Sequence, residues 1–272
     1  MSPERISGLS AITERFDAVL LDQFGVLHDG RAAFPGAQEA VLRLRSAGLR
    51  LAVLSNSGKR SAANAERLES LGFEADWFDA VVTSGELCRE RLTSALESGR
   101  LTAGASIYVV ASSSEGSPLE GLTLRSSTCA EDAELVLIAG RSPQQRTPEE
   151  EIEPLLPLAR RGVPCICANP DRTIYADGQP APGPGFLAEL YAASGGPLEM
   201  IGKPHAPIFQ ASMEALGQPE PARTLMIGDS REHDISGGAA LGLTTLLIEG
   251  GVQANGKADG PEPDFIMPRL VW

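Results

Sequence analysis

Residues 18–30 read AVLLDQFGVLHDG, and the fold turns on them. Ala18 to Leu21 form a short, unbroken apolar run, as in a strand buried on both faces. Asp22 ends the run, and Gly25 lets the following loop turn tightly. After Pro35, EAVLRLRSAG has helical spacing, with Gly48 as its stop. LRLAVLSN (49–56) is a second buried strand. SAANAERLESLG (61–72) is a second helix, with Ser61 as a candidate N-cap and Gly72 as the stop, and FDAVVTS (78–84) is a third strand. Strands alternating with helices predict a parallel sheet covered on both faces.

The pattern returns near the C-terminus. GPGFLAELYAAS (183–194), HAPIFQASMEALG (205–217) and HDISGGAALG (233–242) read as helices. LEMIG (198–202), TLMIGD (224–229), LTTLLIEGG (243–251) and FIMPRL (265–270) read as strands. Between about Glu86 and Pro182 the alternation loosens. IYVVA, ELVLIAG and VPCICA suggest strands, PEEEIEPLLPLARRG (148–162) a helix, SSSEGS (112–117) a loop and DGQPAPGPG (177–185) a hinge. The expected architecture is a doubly wound α/β core of residues 1–85 and 182–272, with a second α/β domain, 86–181, inserted.

The 272 residues can bury a substantial core unaided, and 42% apolar with 22% charged residues is an ordinary globular balance. A formal charge of −13 argues against nucleic acid or an anionic bilayer as partner. At 5% aromatic the chain is poor in base-stacking surface. MSPERISGLSAITERF lacks the apolar stretch of a signal peptide, and no later stretch approaches a membrane span. Cys88, Cys129, Cys165 and Cys167 are too sparse for a disulfide framework. Cys165 and Cys167 share one strand face, but without a second Cys or His pair nearby they read as core thiols. The expected setting is a reducing cytoplasm.

Four sites fall at the C-terminal ends of predicted strands, the edge where open α/β sheets bind ligands. Asp22 is a candidate nucleophile toward phosphorus or the cap of a turn. Ser55 and Asn56 suit phosphate oxygens, or a helix cap. Lys203, in IGKP, can neutralise Asp22 and a phosphate, or be a surface lysine. Asp229, with Asp234 five residues on, offers hard oxygen ligands for Mg2+, or an N-cap pair.

Asp, then Ser, then Lys, then the Asp pair, each at a strand end, resembles the four motifs of the haloacid dehalogenase superfamily. The long insert between the second and third resembles the cap of its class IIA group, the NagD-like and p-nitrophenyl or pyridoxal phosphate phosphatases. LIAGRS, CANPD with the arginine after it, IGKP and GDSREHDISGG are similar to stretches of that group, over roughly residues 16–250. The resemblance implies a Mg2+-dependent phosphatase of a small phosphorylated metabolite. Asp22 would be the nucleophile, Ser55 and the backbone near Asn56 would bind the phosphoryl group, and Lys203 would hold both in line. Asp22, Asp229 and the carbonyl of Phe24 would ligate the metal, with Asp234 ligating it or ordering its waters. Asn169 and Asp171 match the cap's N-P-D signature and would lie near the substrate. A homodimer is common in the group.

One position departs from the pattern. The family's second Asp, its general acid and base, stands two residues after the nucleophile, where this chain has Phe24. The resemblance then leaves three readings: a phosphatase that uses another proton carrier, His28, Asp29 or His233 being the nearby candidates, or that favours leaving groups needing no proton; a phosphometabolite-binding protein with vestigial chemistry; or a dehalogenase-like enzyme. The retained Asp229 and Asp234 speak against the last.

Overall fold

The computed structural model describes residues 2–176, 179–251 and 260–272. Numbered along the chain, the strands are β1 (Glu4–Arg5), β2 (Ala18–Asp22), β3 (Arg50–Ser55), β4 (Ala80–Thr83), β5 (Ser106–Val110), β6 (Arg125–Ser127) and β7 (Leu135–Ile138). They continue as β8 (Cys165–Cys167), β9 (Thr173–Ala176), β10 (Gln179–Pro182), β11 (Leu198–Met200), β12 (Thr224–Gly228), β13 (Thr244–Ile248) and β14 (Phe265–Met267). The chain forms two compact units, one of residues 1–55, 64–82 and 203–272, the other of residues 56–63 and 83–202.

The first unit holds a seven-stranded sheet of order β1-β14-β13-β12-β2-β3-β4. β2 pairs with β12 and β3 in parallel, with Leu21 opposite Ile227 and Asp22 opposite Leu54. Alternate residues face opposite sides of a sheet, and here both sides are buried. Val19, Leu21, Leu51, Val53, Leu225 and Ile227 join one core, to which the helix Ala37–Ser46 contributes Val41 and Leu44. Leu20, Ala52, Leu54 and Met226 are equally buried on the other side. There the helix Ala206–Ala215 packs on β3 and buries Ile208 and Phe209. Burial on both faces explains why these strands read as unbroken apolar runs rather than alternating ones.

The second unit has a five-stranded sheet, β11-β8-β7-β5-β6, every pairing parallel. β7 shows its design: Val136 and Ile138 enter one core and Leu135 and Leu137 the other. The helix Ser84–Glu97 covers one face through Cys88 and Leu92, and the helix Pro184–Ala193 covers the other through Leu187 and Tyr191. The Arg141 guanidinium is buried, donating from Nε to Glu151, from Nη1 to the Pro182 carbonyl and from Nη2 to the Arg146 carbonyl.

Several expectations change in detail. The segment 148–162 is not one helix: it runs as Pro148–Ile152, a 3-10 turn Glu153–Leu155, then Leu156–Arg160. Pro154 and Pro157 have no N–H to donate, which interrupts the ladder. LEMIG, expected in the core sheet, supplies β11, which pairs with β8 in the five-stranded sheet. Of the stretch expected to be a hinge, Asp177 and Gly178 lie outside the described residues, while 179–182 form β10, antiparallel to β9. Proline is tolerated there because the ribbon has only two strands.

The stretch after Asp229 is also divided, into a π-helical turn Arg231–Ile235 and the helix Ser236–Ala240. Gly237 lets that helix lie against Phe209, for a Cβ there would stand 2.2 Å from the ring. Gly237→Ala is therefore expected to destabilise the protein by about 1–3 kcal/mol through overpacking. Denaturant melts should show part of that loss recovered in Gly237→Ala/Phe209→Leu, where the ring that blocks the new methyl is gone.

Candidate active site

The centre of the seven-stranded sheet positions the charged groups. Asp22 closes β2, and Asp229 follows β12 directly, so adjacent parallel strands deliver both carboxylates to one edge. Ser55 closes β3, one residue past Leu54, the register partner of Asp22. Lys203 precedes the helix Ala206–Ala215 and is buried. Its Nζ lies 2.6 Å from Asp22 Oδ1 and 2.7 Å from Asp234 Oδ1. Asp234 is fully buried, and its Oδ2 accepts from the Ser230 N–H at 3.0 Å.

The π-helical turn supplies that last geometry. Ser230 caps it, accepting from the His233 N–H at 3.2 Å, while the Ser230 carbonyl accepts from the N–H groups of Asp234 and Ile235. The wide turn aims the Asp234 side chain back at the Ser230 N–H and at Lys203, and such turns are frequent at functional sites. Ser230 was not among the residues singled out from sequence. Its signal was a serine four residues before a carboxylate at a helix start.

Asp22, Asp229 and Asp234 each offer a carboxylate oxygen, and these atoms lie within 4.8 Å of one another. Hard oxygen donors so close together fit Mg2+. The cradle is backbone: Gly25 has φ 96°, and a Cβ on it would stand 2.0 Å from Asp229 Oδ2. Burial raises the Asp22 carboxyl well above the usual carboxylate range, Lys203 works against this, and Asp234 and Asp229 reinforce it. Burial opposes the charge on Lys203, but Asp22 and Asp234 outweigh it and hold the ammonium above its ordinary value.

Phe24 is half-buried, with its ring edge-to-face against His28 at 6.0 Å between centroids. His28 is buried. Its Nδ1 accepts from the Gly30 N–H at 2.9 Å, so Nε2 carries the proton, and that atom is buried without a hydrogen-bond partner. Burial, with Arg67 adding and Asp29 opposing, pushes the His28 pKa down to about 4. Asp29 is exposed, and its Oδ1 accepts from the backbone of Arg31 and Ala32, so it closes a turn. His233 is buried, with Nδ1 3.3 Å from Ser230 Oγ. Asn56, Asn169 and Asp171 form a cluster of their own in the second unit: Asn56 Nδ2 donates to Asp171 Oδ1 at 2.8 Å, and the Asp171 N–H to Asn169 Oδ1 at 3.0 Å.

Fold and site define a class: a doubly wound α/β hydrolase whose central strands present a lysine-anchored group of carboxylates. Family models agree. A haloacid dehalogenase-like hydrolase model matches residues 19–124, and a HAD-hydrolase-like model matches residues 200–272. Mouse chronophin is 32% identical over 266 residues, spanning 92% of this chain and 87% of the relative. A haloacid dehalogenase-like hydrolase from Brucella suis superimposes with a TM-score of 0.86 at 30% identity, covering 98% of this chain and all of that one. A glycerol phosphate phosphatase from Mycobacterium tuberculosis, in complex with magnesium, gives a TM-score of 0.68 at 25% identity, covering 94% of this chain and 76% of that one. The chain belongs to the haloacid dehalogenase superfamily of hydrolases, in class IIA. Among the described residues no helix is long and apolar enough to cross a membrane.

Burying Asp22 beside two further carboxylates carries a cost. With its pKa raised in the folded state, Asp22 holds its proton to higher pH folded than unfolded. The metal-free protein should then lose stability as pH rises from the ordinary carboxylate range toward that raised value. Asp22→Asn is expected to flatten this slope and to raise the neutral-pH melting temperature, by about 2–4 °C per kcal/mol for a chain of this size. A lower melting temperature would mean that the attraction to Lys203 outweighs burial and repulsion.

Proposed function

We propose that this protein is a Mg2+-dependent phosphatase of a small phosphorylated metabolite, working through an aspartyl-phosphate at Asp22. The observation that carries the reading is the buried Lys203 ammonium 2.6 Å from Asp22 Oδ1, beside two further carboxylates. A carboxylate nucleophile and a phosphate repel each other, so the site needs cationic charge next to the attacking oxygen. Lys203 supplies some of it, fixed in place by Asp234. The magnesium in the Mycobacterium glycerol phosphate phosphatase supports the metal, and that protein's name supports a small phosphorylated substrate.

Asp22 attacks phosphorus, the leaving oxygen departs opposite, and water then cleaves the acyl phosphate to orthophosphate and free carboxylate. Ser55 and the backbone after it hold the phosphoryl oxygens, and Lys203 keeps nucleophile and phosphoryl group in line. Asp22, Asp229 and the Phe24 carbonyl would hold Mg2+, with Asp234 a ligand or an anchor for its waters, and the ion would supply the remaining positive charge there.

Phe24 brings no acid or base to the leaving oxygen. Nor does Asp29, which closes its turn, and His28 is held neutral with its Nδ1 occupied. A positioned acid–base group is worth roughly 10²–10⁴-fold in rate. An alkoxide leaves poorly without a proton, whereas a nitrophenolate or carboxylate does not need one. Turnover should therefore favour aryl and acyl phosphates over alkyl phosphates, with breakdown of the aspartyl-phosphate slowed by the missing base.

Two measurements test this. Phosphate release from one aryl and one alkyl phosphate should require Mg2+ and vanish in Asp22→Asn; release that survives either change overturns the nucleophile and metal assignments. Phe24→Asp should raise alkyl turnover more than aryl turnover, by up to about 10²-fold. Alkyl turnover by the native protein equal to its aryl turnover would mean that another group carries the proton. No turnover of any phosphate by either protein would leave binding without chemistry as the function.

A further inference from the structure

Asn56 follows Ser55 directly, and in a phosphoryl-binding turn its amide is the obvious group to offer a substrate. Both ends of that amide are instead engaged by the protein. Nδ2 donates to Asp171 Oδ1 at 2.8 Å, and Oδ1 accepts from Ser84 Oγ at 3.4 Å. The residue is buried, with 6% of its surface exposed.

Asp171 is held as firmly. Its N–H donates to Asn169 Oδ1 at 3.0 Å, and its carbonyl accepts from the Gly185 N–H at 3.0 Å. Bare backbone presses on the cluster from two sides. A Cβ on Gly183 would stand 2.1 Å from the Asp171 carbonyl oxygen, and one on Gly202 would stand 2.6 Å from Asn56 Oδ1. The turn itself has a further tie, for the Ser57 carbonyl accepts from the Gly85 N–H at 3.0 Å.

We propose that Asp171 is a positioning residue of the phosphoryl site: its carboxylate grips the Asn56 amide and so fixes the backbone that follows Ser55. This rests on the phosphatase reading for Ser55, and it replaces direct substrate contact as the role of Asp171. A carboxylate accepting from an amide makes a charge-assisted bond, stronger than a neutral one. Misplacing a reacting group by about 1 Å can cost on the order of 10²-fold in rate. Loss of the grip should therefore appear in kcat more than in the melting temperature.

The test exchanges donor and acceptor. Asn56→Asp sets two carboxylates against each other and is expected to lower kcat for an aryl phosphate by about 10–100-fold. Asp171→Asn keeps an acceptor oxygen and should lose much less. The double variant Asn56→Asp/Asp171→Asn restores the bond with its polarity reversed and should recover kcat to within about 3-fold of the native value. Orthophosphate affinity with Mg2+ present, measured calorimetrically on the four proteins, should follow the same pattern without relying on turnover. Independent effects of the two changes on both readouts, or coupling only in the melting temperature, would overturn the proposal. If the native protein binds orthophosphate with this coupling but turns over nothing, the link stands and the catalytic reading falls.

Discussion

A single ammonium group holds the ligand edge of this protein together. Lys203 is 3% exposed and bridges Asp22 and Asp234. Removing an ion from water costs several kcal/mol, and three carboxylates gathered at one strand edge multiply that cost. The cluster is tolerable because Lys203 pairs with two carboxylates at once and Asp234 also takes a backbone N–H from Ser230. Leaving either carboxylate without Lys203 would strand a buried charge, the costliest kind of local defect.

That constraint explains which parts of the site were legible in the sequence. A polar residue at the end of an apolar strand is conspicuous, and Asp22, Ser55 and Asp229 all occupy such positions. The parallel sheet itself was legible for a similar reason: strands buried on both faces are written as bare apolar runs. Features without such a marker were lost. The helix Ser84–Glu97 escaped notice because Cys88 and Leu92 are its only fully buried apolar residues, set among polar ones. The two-residue strand β1 is too short for any periodicity. The assignment of β11 to the five-stranded sheet depends on pairing with Cys165–Cys167, which no local pattern encodes. Asn56 and Asp171 were both recognisable as candidates, but their mutual hydrogen bond spans 115 positions and could be seen only in space.

The Phe24 loop shows a different economy. The ring two residues after Asp22 packs edge-to-face with His28, whose imidazole is held neutral by burial. Arg67, from the helix Ser61–Ser70, reaches the Gly30 carbonyl and closes the far side of the loop. The loop is built around the ring, which makes Phe24 an integrated part of this chain's architecture.

The order of the chain adds a constraint of a different sort. Residues 56–63 and 83–202 complete the second unit, while the first still lacks everything from Lys203 onward. During synthesis, when domains tend to fold as they emerge, the second unit is whole while β2 still lacks β12, the neighbour it pairs with on one side. Asp22 has by then been made for 181 residues without its counter-ion. The nascent first unit thus carries an apolar strand edge ending in an unneutralised carboxylate until the last quarter of the chain arrives. The segment that begins at Lys203 brings both the counter-ion of Asp22 and the strands β12, β13 and β14, so one stretch of chain completes the charged edge and the sheet together.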